Sequence, residues 1–320
     1  MRNHGYTYTD TITRDEEGLC ALHVYLGRYD HSDEQEWIEH FAQGRIVLNG
    51  TAASASTVVM RGDVLYYHRP PWDEPDVPDE LPVLFEDASC VVFNKPSGLP
   101  VLPGGGFLQN TLLHLARQRH GATLSPVHRL GRGTSGAILF SRDAAAAALL
   151  GAAMRERRVE KTYLALAQGL PERDRFDITV PIGRVPHALL GQVFAAHPRG
   201  KASLSQCTVL HRDAEAEICV VAVRIPTGRP HQIRIHLAAA GHPLVGDPLY
   251  IASGQPAPPD AEGNQAVPGD CGYHLHSWRL CFPSVLRPEA VETVTAPPPE
   301  GPLRAWPDGS MPEGADGQVH

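Results

Sequence analysis

Apolar residues along the chain fall into short runs with two spacings. Ser32-Asp-Glu-Gln35 has the form of a capping box, and Trp37, Ile38 and Phe41 behind it share one helical face before Gly44. That pattern predicts a short helix. Residues 45–50, ending in an Asn-Gly turn signal, and residues 57–67 read as small strands around tight turns. Further runs rich in β-branched and aromatic residues lie at 90–93, 137–140, 163–167 and 218–224. Residues 144–158 predict a strong helix, with Ser141 and Asp143 at its start and Arg155, Arg157 and Arg158 at its end, as the helix dipole prefers. A second helix is signalled by Pro230 at a first-turn position, then Ile233, Leu237 and Ala240 on one face and Gly241 as a stop. Strands and helices do not alternate strictly, which favours an α+β fold over a doubly wound sheet.

At 320 residues there is room for two domains. Residues 68–82 carry five prolines and five acids, too stiff and polar for a core, and are expected to link a module at 1–67 to a main domain at 83–294. Within that domain residues 254–272, rich in Pro, Gly, Asp and Gln, read as an inserted loop, and residues 295–320 as a disordered tail. No run of 18 apolar residues occurs and the amino terminus is polar, so a soluble, cytoplasmic protein without a membrane partner is expected. The six cysteines never approach CxxC spacing, and neither a metal nor a disulfide framework is implied.

The net charge of −8 conceals an uneven distribution. Residues 1–82 hold 6 Lys+Arg against 15 Asp+Glu, residues 83–250 hold 19 against 12, and residues 251–320 hold 3 against 9. The middle is therefore basic between two acidic ends, and residues 117–162 alone carry nine basic and three acidic side chains, enough to attract a polyanion locally. Only three lysines accompany 25 arginines. That excess fits nucleic-acid recognition by stacking and forked hydrogen bonds, and equally a compositional bias of the genome.

Gly131-Arg-Gly133-Thr-Ser-Gly136 matches the dinucleotide fingerprint GxGxxG. Its context does not: the fingerprint follows a strand and opens a helix, whereas this segment leads into the strand-like residues 137–140, so no nucleotide cofactor is expected. The same glycines, with His128, Arg129 and Arg132, suit close approach of a nucleic-acid backbone, or an ordinary turn with solvated arginines. Pro126-Val-His-Arg-Leu-Gly-Arg-Gly-Thr-Ser-Gly136 resembles the signature block of the RluA-type pseudouridine synthases. Phe85-Glu-Asp-Ala-Ser-Cys-Val-Val-Phe-Asn-Lys-Pro-Ser-Gly-Leu-Pro100 is similar to the family's opening strand and Lys-Pro turn, and Glu160-Lys-Thr-Tyr-Leu-Ala-Leu-Ala-Gln-Gly169 to its tyrosine block. Thr227-Gly-Arg-Pro-His-Gln-Ile-Arg-Ile-His236 with Gly241-His-Pro-Leu-Val-Gly-Asp247 is similar to its last block, with a weaker echo at residues 275–283. Residues 1–67 resemble, less specifically, the small RNA-binding module of ribosomal protein S-four type.

The resemblance implies a pseudouridine synthase fold with a largely antiparallel mixed sheet, and an enzyme that isomerises uridine in structured RNA, ribosomal or transfer, as a monomer and with no cofactor. It makes Tyr163 the ring that stacks on the flipped base, Arg234 the partner of the catalytic carboxylate, and Arg129 the residue that fills the gap in the RNA stack. Lys95, His128, Arg132, Arg229 and His231 are the other expected RNA contacts. One position departs from the family: Gly131 stands where its catalytic Asp is found, and glycine cannot attack, abstract or donate. Three routes follow. Asp247 or Asp143 takes over, the reaction relies on Tyr163 and positioning, or the protein binds RNA without modifying it.

Overall fold

The computed structural model describes residues 2–29, 32–287 and 289–304, and it divides into two units, Met1–Pro75 and Asp76–His320. The first comprises β1 (Tyr6–Thr11), α1 (Ala21–Arg28), α2 (Glu34–Ala42), β2 (Ile46–Leu48), β3 (Thr51–Ala52) and β4 (Val64–Arg69), with its strands in the order β1-β4-β2-β3. The capping box sits one residue later than the expected Ser32-to-Gln35 pairing. The Asp33 carboxylate accepts the Glu36 N–H at 2.8 Å and Glu36 accepts the Asp33 N–H in return. Trp37 and Phe41, four residues apart, enter the core with Tyr25, Ile46 and Leu65, while Ile38, a hundred degrees further round the helix, is 37% exposed. Asn49 and Gly50 both have positive φ, as a two-residue hairpin turn requires. The strand expected from residue 57 begins only at Val64, because the Asp63 carboxylate accepts the Met60 N–H and closes a turn first.

The linker expected at 68–82 is divided between the units. On the first side, Asn3 donates its side-chain amide to the buried Glu74 at 2.8 Å, and the Arg69 guanidinium lies 3.7 Å over the Trp72 ring. On the second, Val77 and Leu81 pack against the cluster around Phe93.

The second unit comprises β5 (Val83–Glu86), β6 (Cys90–Lys95), α3 (Leu112–His120), β7 (Ser125–Pro126), β8 (Ser135–Ser141), α4 (Ala144–Arg155) and β9 (Glu160–Gln168). It continues with β10 (Arg175–Ile178), β11 (Ile182–His187), β12 (Gly191–Ala196), β13 (Ser205–Asp213), β14 (Ile218–Arg224), α5 (Gln232–Ala239), β15 (Leu275–Pro283) and β16 (Val291–Thr295). Ten strands form one sheet in the order β10-β13-β14-β9-β15-β8-β6-β5, with β16 on β15 and β7 on β8, while β11 and β12 pair separately. Every pairing in it is antiparallel except β8 with β15. This is the α+β, largely antiparallel fold expected. The parallel join depends on Gly136, where φ is +102° and a Cβ would stand 2.2 Å from the Ser277 carbonyl oxygen. Only glycine permits that approach.

Period-two alternation sends the sheet's two faces to different cores. Tyr163, Ala165 and Ala167 of β9 meet Ile233 and Leu237 of α5, while Leu164 and Leu166 meet Trp278 and Leu303. In the same way Val92 and Leu139 face α4, and Val91, Ile138 and Phe140 face α3. Helix α4 starts at its Asp143 cap but ends at Arg155, three residues early, with Arg157 at positive φ. Helix α5 begins at Gln232 after a left-handed His231, so Pro230 lies outside it, and all of residues 232–238 are buried rather than one face.

Disorder does not begin at residue 295. Ala296 donates its N–H to the Trp278 carbonyl at 2.7 Å, and Leu303 is buried in the apolar cluster beside it; residues 305–320 of the expected tail lie outside the described ones. The loop 254–272 is irregular yet tied down, with His187 bonded to the Ala266 carbonyl at 2.9 Å. Among the described residues no helix is long and apolar enough to cross a membrane.

Asp143 accepts the Ala146 N–H at 2.8 Å and so holds the first turn of α4. Asp143→Ala is expected to cost about 1 kcal/mol of stability, and Asp143→Asn, an equally good cap, only a few tenths. Chemical denaturation of the three proteins checks this.

Candidate active site

A cleft of about 620 Å3 opens between the glycine loop at 126–134, the β9 strand and the start of α5. Its loop wall is held from behind by the Lys-Pro turn. The Lys95 ammonium, 0% exposed, donates to the carbonyls of Pro96 (2.8 Å), Leu99 (2.6 Å) and Arg132 (3.1 Å), Ser97 donates to the Gly133 carbonyl at 2.8 Å, and Gly98 N–H to that of Arg132 at 2.8 Å. Burial pushes the Lys95 amine down to about 7. Lys95 is therefore not an RNA contact: it fixes the loop that carries Gly131 and Arg132.

Tyr163 stands on the cleft wall from the middle of β9, only 6% exposed, and burial raises its hydroxyl to about 12, with the neighbouring Ser277 opposing. Arg129 is exposed at the rim. Arg132 donates to the Gly269 carbonyl at 2.7 Å and Arg229 to that of Ala202 at 3.1 and 3.2 Å. Lys161 is a further lining cation, its pKa lowered by burial. None of these four is paired with a carboxylate among the described residues. The two expected histidines also line the cleft, but not as cations. Burial, reinforced by Lys161, pushes His128 down to about 3, and burial with Arg234 and Arg129 pushes His231 to about 4. Both rings are neutral at pH 7, and the His128 Nε2 accepts the Leu139 N–H at 3.3 Å.

Arg234 meets Asp247, one of the two carboxylates expected to stand in for the missing Asp. It is 2% exposed and makes a two-pronged ion pair with Asp247, which is 0% exposed: Nε to Oδ2 and Nη2 to Oδ1, both 2.7 Å. Its Nη1 donates to the Pro268 carbonyl at 3.1 Å, and its plane lies 4.2 Å from the Tyr273 ring and 4.9 Å from that of Tyr250. Burial works against the charge, but the Asp247 bonds outweigh it and hold the arginine above its usual pKa. Asp247 also accepts the N–H groups of Leu249 and Tyr250, so its oxygens are engaged. It does not line the cleft, and Asp143 is occupied as the α4 cap. Of the two expected substitutes, Asp247 thus contacts the lining Arg234 without lining the cleft itself, and Asp143 is engaged elsewhere. Among the described residues no Asp or Glu lines the cleft at all.

The space beside Gly131 is not empty. A Cβ at 131 would lie 2.9 Å from the Tyr273 hydroxyl and 3.4 Å from that of Thr134, and one at 133 would lie 2.9 Å from the end of the Tyr273 ring. Gly131 lies outside the positive-φ region, so what requires glycine here is room for the phenol. Sequence reasoning did not find Tyr273 or Lys161. Lys161 was within reach, since residues two apart on β9 share a face with Tyr163. Tyr273 precedes β15 at the end of the irregular loop and carries no local signal.

Removing one partner from a fully buried ion pair leaves an uncompensated charge. Asp247→Asn is expected to lower stability by roughly 3–5 kcal/mol, measured by urea denaturation. A loss below about 1 kcal/mol, the size of an exposed pair, would contradict this placement.

Comparison with known proteins gives the family. Residues 89–239 match the family model described as RNA pseudouridylate synthase. RNA pseudouridine synthase 5 of Arabidopsis thaliana is 41% identical across 93% of this chain and 94% of its own length, and an uncharacterized RNA pseudouridine synthase of Synechocystis is 40% identical across 87% and 94%. Among solved structures, human RNA pseudouridylate synthase domain containing 1 superposes with a TM-score of 0.55 at 27% identity, covering 71% of this chain and 87% of that one. With similarity to these relatives spanning nearly the whole length of both chains, this protein belongs to the RNA pseudouridine synthase family, the isomerases that convert uridine in RNA to pseudouridine.

Proposed function

We propose that this chain isomerises a uridine of a structured RNA, ribosomal or transfer, flipped into the Tyr163 cleft. The observation that carries the reading is the make-up of that cleft: an aromatic wall, four cations without carboxylate partners among the described residues, and no acidic side chain among those that line it. Taking a base out of its stack costs a few kcal/mol, and stacking it on one aromatic ring contributes about 1–3 kcal/mol. Stacking alone does not offset extraction. Phosphate contacts from Arg129, Arg132, Lys161 and Arg229 supply the remainder, which makes binding dependent on salt.

Tyr163 is the stacking ring, and Arg129, at the rim, fills the vacated place in the RNA with its planar guanidinium. Neutral His128 and His231 face the base as hydrogen-bonding groups. The reaction breaks the bond from ribose C1′ to N1, turns the base, joins C1′ to C5 and releases the C5 proton. It is redox-neutral: N1 gains one proton as C5 loses one, so these residues position the base and the site moves a proton at each of the two atoms.

The test is tritium release from structured RNA labelled at uracil C5, with pseudouridine quantified in the product. Release matching pseudouridine is expected; RNA binding without release overturns the reading. In the same RNA, Tyr163→Phe is expected to bind within about twofold of the parent and Tyr163→Ala about tenfold more weakly, the loss of one stacked base. Affinity is expected to fall by orders of magnitude between about 50 and 200 mM salt.

A further inference from the structure

We propose, resting on the isomerase reading above, that Tyr273 is the catalytic nucleophile of this cleft, its phenol oxygen attacking ribose C1′ from the space that a side chain at 131 would occupy. Three observations carry this. The Tyr273 oxygen is 2.9 Å from where a Cβ at 131 would begin, so it stands at the position left by Gly131. No carboxylate lines the cleft among the described residues, and Asp247, paired with the lining Arg234, is held by that arginine and two backbone N–H groups. The phenol itself is nearly unengaged, its one bond among the described residues being a long contact of 3.4 Å to the Thr134 hydroxyl.

Its surroundings suit the chemistry. Burial raises the pKa of the hydroxyl, while the Arg234 guanidinium against the ring and Thr134 act in the opposite direction. The resting phenol keeps its proton and yields it as the reaction proceeds, with Arg234 stabilising the charge that develops on oxygen. Tyrosine serves as the nucleophile at an anomeric carbon in some glycoside hydrolases.

The steps balance. The phenol oxygen forms a bond to C1′ as the C1′–N1 bond breaks. The electron pair of that bond leaves with uracil, which takes the phenol proton. After the base turns on Tyr163, C5 attacks C1′ and displaces the phenol oxygen as phenolate. The C5 proton is then lost to the phenolate, with exchange to water, and the proton first given to uracil remains on N1 of pseudouridine. Tyr273 ends as it began, and no oxidant, reductant or metal enters.

The test compares the parent, Tyr273→Phe and the double variant Gly131→Asp/Tyr273→Phe by tritium release, RNA affinity and thermal unfolding. Phenylalanine keeps the ring against Arg234 and removes only the oxygen, so affinity and melting temperature are expected to stay near the parent's while kcat falls at least about 100-fold. Without that oxygen nothing of residue 273 remains within 4 Å of a Cβ at 131. The double variant therefore has room for a carboxylate and is expected to regain at least about tenfold over Tyr273→Phe. If Tyr273→Phe misfolds, mass spectrometry of the unaltered protein quenched on RNA carrying 5-fluorouridine decides: a ribose adduct on the peptide containing Tyr273 is expected, and an adduct on another residue, or none, overturns the proposal. A Tyr273→Phe enzyme within about threefold of an active parent overturns the proposal alone, whereas a parent that releases no tritium overturns the isomerase reading beneath it.

Discussion

The site is organised around one buried charge pair. Arg234 and Asp247 lie at 2% and 0% exposure, joined by two bonds of 2.7 Å. Bringing both ions out of water is costly unless geometry is good and the remaining donors and acceptors are met. Here they are met: the Pro268 carbonyl accepts from the spare guanidinium N–H, Leu249 and Tyr250 donate to the carboxylate, and two tyrosine rings lie against the guanidinium. The pair thus ties α5, the turn after it and the irregular loop to one another. It also commits a buried carboxylate beside the cleft to a structural partner.

That commitment shapes the cleft. With Asp247 engaged and glycine at 131, the cavity is lined by cations, neutral histidines and two tyrosines, which suits a polyanion and leaves phenol oxygens as its acidic groups. The glycine loop can present this surface because three carbonyls close around the Lys95 ammonium behind it. Arg234 in turn sets the Tyr273 ring, and the absence of side chains at 131 and 133 makes room for it. Changing one member of this set disturbs the others.

Much of the fold was legible in the chain because it is written in local terms. The runs at 90–93, 137–140, 163–167 and 218–224 all became strands, and Asp143 caps the helix that follows it. Tertiary contacts were less legible. Arg234 carries the signature of a helix residue, yet α5 is buried all round, so its charge had to be answered by Asp247, thirteen positions on. The acidic, proline-rich stretch at 68–82 looked like a free linker, and Glu74 is instead buried against Asn3. Residues after 295 looked like tail, yet Leu303 completes an apolar cluster. Tyr273 was invisible for the same reason: its role depends on what Gly131 and Gly133 lack, and their separation from it in sequence is large.

The most direct test of this account is a structure of the protein bound to structured RNA carrying 5-fluorouridine at the target, where fluorine at C5 blocks loss of the final proton. The account requires the flipped base to stack on Tyr163 with ribose C1′ within about 3.5 Å of the Tyr273 oxygen, near-attack distance. A base held elsewhere, or a C1′ that faces a carboxylate instead of that phenol, would contradict it.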